Sequence, residues 1–189
     1  MKIGLYFGTF DPIHKGHLMV AKQVIFEKIV DEIWFIVTPK SPFKKLSIIA
    51  SKEQRFKMLK LAISQVDLPM SACDIEFKLP YPQYTSNTLK YLSKLYPDNI
   101  FHLIMGSDNY STLAQWHDAD FIINQFHICV YPRDEDVPEH KVSNTTFLSG
   151  DKINISSSFI RASFLDKMTN NTSSLDHKVL QYIITNNIY

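Results

Sequence analysis

The stretch from Lys2 to Ile29, KIGLYFGTFDPIHKGHLMVAKQVIFEKI, decides the fold. Lys2 to Phe7 is a short, mostly apolar run stopped by Gly8, after which Leu18, Ala21, Ile25 and Ile29 recur at helical spacing. Strand, tight turn and helix are therefore expected in that order. The same grammar repeats downstream. Glu32 to Thr38 is rich in β-branched and aromatic residues, and Ser51 to Ile63 carries Phe56, Leu59 and Ile63 on one helical face, with Ser51 and Gln54 spaced as a capping box. Cys73 to Leu79 and Thr85 to Tyr96 make a third strand and helix, which Pro97 closes. Ile100 to Met105, Phe126 to Tyr131 and Thr145 to Leu148 read as further strands, with Ser157 to Phe164 and Leu175 to Ile188 as closing helices. Polar stretches over Arg133 to Lys141 and Asp166 to Ser174 read as loops. Parallel neighbours need crossover connections, so this alternation predicts an α/β fold: a single doubly wound parallel sheet, Rossmann-like, with C-terminal helices.

Length and composition agree with one unit. At ~150 residues per domain, 189 residues predict a single domain over residues 1–189. Hydrophobic residues at 45% and charged residues at 21%, with five glycines and nine prolines, exclude a collagen-like or wholly disordered chain. The two cysteines, Cys73 and Cys129, are too few for a disulfide framework or a four-thiolate zinc site, and they read as buried reduced thiols. A net charge of +1 supplies no broad cationic field, so neither nucleic acid nor a membrane surface is expected as partner. The N-terminus lacks a signal-peptide pattern, and the run from Ile33 to Val37 falls far short of the ~20 residues that cross a bilayer. A cytoplasmic location is expected.

Between the first strand and the first helix lies Gly8-Thr9-Phe10-Asp11-Pro12-Ile13-His14-Lys15-Gly16-His17, where an open parallel sheet places its ligand crevice. Gly8 and Gly16 permit close backbone approach, and the free N–H groups of a helix start attract an anion. His14 and His17, three residues apart, can present both imidazoles to it. Spacing alone leaves two other readings, an ordinary turn with solvent-facing histidines and a His-x-x-His metal pair. No Cys or third His completes a metal set within the segment. The glycine spacing also differs from G-x-G-x-x-G, which disfavours hydride-transfer chemistry.

These residues resemble the G-x-F-x-P-x-H-x-G-H signature of the nucleotidylyltransferase superfamily, matching it at Gly8, Phe10, Pro12, His14, Gly16 and His17. Ile155-Ser156-Ser157-Ser158-Phe159-Ile160-Arg161 resembles the second signature, I-S-S-T-x-I-R, with Ser158 where threonine is usual. The resemblance implies the nucleotidylyltransferase version of the Rossmann-like fold, with ATP as substrate lying between two helix N-termini. It places Gly8, Thr9, Phe10, Gly16, Ser156, Ser157 and Ser158 against the nucleotide, and makes His14, His17 and Arg161 the catalytic candidates. An acceptor that carries a phosphate is already nucleophilic, so positioning and charge stabilisation would supply the catalysis. Mg²⁺ is expected to be held mainly through the phosphates, with no protein ligand set.

Within the superfamily the chain is most similar to the bacterial nicotinate mononucleotide adenylyltransferases. Thr38 to Lys44, TPKSPFK, resembles a proline-rich loop of that family, with Phe43 in place of histidine and Lys44 retained for the acceptor phosphate. Tyr84-Thr85-Ser86-Asn87-Thr88-Leu89 resembles Y-T-x-D-T-L, with Asn87 for aspartate, and Gly106-Ser107-Asp108 and Leu113 to Trp116 resemble its G-x-D and L-x-x-W. The resemblance implies transfer of AMP from ATP to nicotinate mononucleotide, giving nicotinate adenine dinucleotide and pyrophosphate. Trp116 offers a flat face to the pyridine ring, with Tyr84, Thr85 and the His117 backbone beside it, while Asp108 and Gly106 face the adenosine. Phosphopantetheine or nicotinamide mononucleotide as acceptor, and a nucleotide sensor without turnover, are the competing readings. The expected partners are these small molecules, and a homo-oligomer stays open.

Overall fold

The computed structural model describes residues 1–40, 49–133, 144–149, 155–165 and 173–189. Six parallel strands form one sheet in the order β3-β2-β1-β4-β5-β6. They are β1 (Lys2–Gly8), β2 (Glu32–Val37), β3 (Met70–Cys73), β4 (Ile100–Gly106), β5 (His127–Tyr131) and β6 (Thr145–Phe147). The helices are α1 (Lys15–Phe26), α2 (Lys52–Ile63), α3 (Thr85–Leu95), α4 (Ser107–Tyr110), α5 (Ala119–Gln125), α6 (Ser157–Leu165) and α7 (His177–Thr185). The strand order reverses between β1 and β4, and it is at such a switch point that the carboxyl ends of strands open a crevice.

Alternation along β1 separates two cores. Ile3 and Leu5 pack with Leu89 and Leu92 of α3 and Ile122 of α5, whereas Tyr6 packs with Leu18 and Val24 of α1, Met58 and Leu59 of α2, and Val179 and Ile183 of α7. Helices thus cover both faces, as the crossover argument predicts. The expected capping box is formed at α2, where Gln54 N–H donates to Ser51 Oγ at 3.2 Å and Ser51 N–H donates to Gln54 Oε1 at 2.8 Å.

Three boundaries differ from expectation. The third strand covers Met70–Cys73, not residues 73–79, and Ile75–Phe77 turn as a 3-10 helix instead. Asp74 ends the strand; Phe77 then packs on Phe56 with ring centroids 5.9 Å apart, while Glu76 turns inward. Apolar residues on either side of a buried acid imitate strand alternation. The segment between β4 and β5 folds into α4 and α5, too short for their periodicity to register. The last helix begins at His177, because the Asp176 carboxylate accepts from Lys178 N–H at 2.9 Å and caps it there. Of the two thiols, Cys129 is buried and Cys73 is only partly so. No helix among the described residues is long and apolar enough to cross a membrane.

Candidate active site

The crevice is built from the two segments that resemble the superfamily signatures, and direct hydrogen bonds join them. Arg161 of α6 donates from Nη1 to the Asp11 carbonyl at 2.6 Å, with the Asp11 carboxylate 3.7 Å away, and Ser157 Oγ donates to the Pro12 carbonyl at 2.9 Å. Residues about 150 apart in the chain are thereby held against one another. Ser158 Oγ accepts from Arg161 Nη2 at 3.3 Å, and Ser156 Oγ accepts from Phe159 N–H at 3.2 Å, capping the start of α6.

Asp11 is the hub of this arrangement. Its buried carboxylate accepts from Ile49 N–H at 3.0 Å, Ala50 N–H at 3.2 Å and Tyr189 Oη at 2.7 Å. It is the only acid between Gly8 and His17, and these bonds make it the residue that holds the loop in place. A second clamp comes from Arg55 of α2, which is 1% exposed. Its guanidinium donates to the carbonyls of Thr9 at 2.6 Å, Thr38 at 2.8 Å, Pro39 at 2.9 Å and Ala50 at 3.2 Å. A planar fork with five donors suits four converging carbonyls.

His14 caps α1 and stacks on His17, with ring centroids 3.7 Å apart. His14 N–H donates to His17 Nδ1 at 3.2 Å, which places the proton of the neutral His17 ring on Nε2. Burial, reinforced by the nearby Arg133 guanidinium, pulls His14 down to about 3 and leaves its imidazole neutral near pH 7, with Nδ1 lacking a hydrogen-bond partner. His14 therefore presents a neutral dipole here, with the positive charge of Arg133 nearby.

Phe10 and Gly8 serve the loop differently from expectation. The Phe10 ring is buried, edge-on to His17 at 5.1 Å and to Tyr6 at 5.8 Å, with backbone φ at +47°. A ligand would meet its backbone, not its ring. A side chain at Gly8 would strike that ring at 2.8 Å, so the glycine makes room for the aromatic. Gly16 is buried in the first turn of α1, and Thr9 is held through its carbonyl.

At the end of β4, Gly106 caps α4, and a side chain there would strike the Asp108 carboxylate and the Tyr131 ring. Asp108 Oδ2 accepts from Arg133 Nη1 at 3.2 Å, whereas its buried Oδ1 has no hydrogen-bond partner. Across the crevice, Tyr84 caps α3 and Thr85 is its first residue. The Tyr84 and His117 rings stack at 4.2 Å, nearly parallel, and His117 Nδ1 lies 3.2 Å from Ser86 Oγ. The His117 ring, and not only its expected backbone, thus ties to the start of α3. Trp116, partly buried beside it, packs on the core that contains Leu113. Lys44 and Phe43 lie outside the described residues.

Sequence reasoning missed Arg55, Arg133, Glu76 and Tyr189. Arg55 had a readable signal, since it falls in helical register with Met58, Leu59 and Ala62 on the buried face. Arg133 lies two residues past β5, at the carboxyl end of the sheet. Glu76 accepts from Thr88 Oγ1 at 2.8 Å beneath α3, and burial pushes its carboxyl up to about 7 against that bond and one from Thr38.

A cytidylyltransferase-like family profile matches residues 5–163. The chain is 43% identical, over all of its length and 99% of the relative's, to a Flavobacterium johnsoniae protein named probable nicotinate-nucleotide adenylyltransferase. A Bacteroides thetaiotaomicron protein of the same name is 35% identical over 97% of this chain and 91% of its own. In structure, the chain resembles Plasmodium falciparum nicotinic acid mononucleotide adenylyltransferase complexed with NaAD. The TM-score is 0.81 over 100% of this chain and 97% of that one; at 21% identity, this is a likeness of fold.

Proposed function

Because the chain belongs to the cytidylyltransferase-like family and is close over its whole length to proteins named as nicotinate-nucleotide adenylyltransferases, we propose that it transfers AMP from ATP to nicotinate mononucleotide. The products are nicotinate adenine dinucleotide and pyrophosphate. An oxygen of the acceptor phosphate bonds to the α-phosphorus of ATP as the bond from that phosphorus to the bridging oxygen breaks, and pyrophosphate leaves with the electron pair. The attacking oxygen is already anionic, so no base is required.

The observation that carries this reading is the pair of bonds from Arg161 and Ser157 to the Asp11–Pro12 backbone, which place the starts of α1 and α6 side by side. On this reading a triphosphate lies between them. We assign His17 Nε2–H, His14 and the backbone N–H groups of the first turn of α1 to the charge that grows on the phosphoryl oxygens, with Arg133 contributing its cation. Arg161, whose Nη1 is engaged on Asp11, shapes the site as well as facing the phosphates. Ser156 to Ser158 and Thr9 line the phosphate path, Asp108 takes the ribose, and Tyr84, Thr85, Trp116 and His117 receive the pyridine carboxylate, with Lys44 at the acceptor phosphate. Mg²⁺ would supply charge neutralisation on the triphosphate, held mainly through the phosphates themselves. We further propose that residues 1–189 act as one domain in the cytoplasm.

The test is pyrophosphate release from ATP and Mg²⁺ with nicotinate mononucleotide, nicotinamide mononucleotide and phosphopantetheine offered separately. Robust release with the first is expected. Robust release only with phosphopantetheine would overturn the assignment, and release with none of them would favour a sensor.

A further inference from the structure

The opposite part of the sheet carries a second group of ligating side chains that the reaction does not use. His102 of β4 and His127 of β5 are register partners on adjacent strands, and Cys129 follows His127 on the same side of β5. Their ligating atoms all lie within 4.8 Å of one another. His102 is 8% exposed, Cys129 is fully buried and His127 is half-buried, leaving the cluster a route to solvent.

We propose that His102, His127 and Cys129 bind one zinc-type divalent cation. Two imidazoles and a thiolate are the borderline-soft donors that such an ion prefers over oxygen ligands. Bonds of ~2.0–2.3 Å to tetrahedral zinc bring donor atoms somewhat closer together than the cluster's present 4.8 Å span, a contraction within reach of side-chain torsions. His127 is already oriented as a ligand is. Its Nδ1 lies 2.9 Å from Asn144 Oδ1, which takes that ring proton and leaves Nε2 as the acceptor, to which the Thr146 hydroxyl donates at 2.9 Å in a bond that the metal would displace. Thr146 is the register partner of Cys129, so that lone pair is directed to the thiol's side of the sheet. A carbonyl oxygen holding the second ring nitrogen is the usual outer support of a metal-bound imidazole.

The second independent observation is His102 Nδ1, buried with no hydrogen-bond partner. Burial keeps this imidazole neutral near pH 7, so it can ligate without losing a proton. Cys129 must lose one: the S–H proton passes to solvent as the S–metal bond forms. Burial, with the Glu27 charge beside it, pushes the Cys129 thiol up to about 12, so it stays protonated until a metal displaces that proton, while Lys2 acts against a cation at His102. Solvent takes the fourth coordination position.

Cobalt titration of the chelator-treated full chain tests this. We expect one Co²⁺ per chain with a thiolate-to-cobalt charge-transfer band, abolished in Cys129→Ala, retained in Cys73→Ala, and requiring at least ~10-fold more metal in His102→Phe. Excess ATP already complexed with Mg²⁺ should leave the band unchanged, because the His14–His17 pair takes no part. No band in the unmodified chain, or a band that survives Cys129→Ala, would overturn the site. X-ray absorption of the zinc-loaded unmodified protein needs no variant, and a first shell without sulfur would equally end the proposal.

Discussion

Single residues at the crevice divide into those that act on charge and those that hold a shape. His17 belongs to the first kind on the proposed mechanism: its Nδ1 accepts from the His14 backbone, which puts the donor proton of the neutral ring on Nε2. His17→Ala should lower turnover by at least ~10²-fold, as loss of an oxyanion donor does, while equilibrium binding of ATP changes little. Near-normal pyrophosphate release from that variant would remove it from the reaction. Trp116→Ala should raise KM for the mononucleotide far more than for ATP; equal effects would make it a core residue. Glu76 illustrates the second kind. Its carboxyl binds a proton more tightly in the folded chain, at about 7, than at the ordinary 4.5, so it contributes stability below 4.5 that is lost as pH rises through 7. Between pH 4 and pH 8 the stability of Glu76→Gln should gain about 3 kcal/mol relative to the parent; denaturant unfolding at both values measures it. Pattern reading found the histidines because they fall within one helical turn of each other. Glu76 stayed hidden because its burial depends on Thr88, twelve residues away.

At the scale of elements, chain-local signals were the legible ones. Ser51 and Gln54 form the expected cap, and Ser51→Ala should cost about 1 kcal/mol in thermal or chemical unfolding. The third strand was misplaced because alternation was read through Asp74, where a 3-10 turn produces the same apolar spacing. Arg55 depends on tertiary structure altogether: it lies on the inner face of α2 only because four carbonyls from the ends of β1 and β2 and the start of α2 converge on it. Arg55→Met would orphan all four and should cost ~3 kcal/mol or more. It should also raise KM for ATP through release of the Thr9 carbonyl, and Arg55→Lys, with a single nitrogen, should recover only part of both losses. Likewise, the grouping of His102, His127 and Cys129 could not be read from spacing, since it exists only once β4 and β5 pair in parallel register.

For the whole molecule, the doubly wound architecture was readable because alternating strands and helices admit few arrangements, and the order β3-β2-β1-β4-β5-β6 is one of them. What spacing could not supply is how the far end of the chain reports to the near one. Tyr189 donates to Asp11 at a separation of 178 residues, and α7 lies along the same core as α1 and α2. Tyr189→Phe should lower stability by about 1 kcal/mol and raise KM for ATP while sparing KM for the mononucleotide. Equal changes in the two constants would mean that the hydroxyl serves packing alone. The bond also has a consequence for biosynthesis. A ribosome exposes Asp11 178 residues before it reaches the tyrosine partner, so the nascent loop must wait for that hydroxyl before its carboxylate can be held in this way.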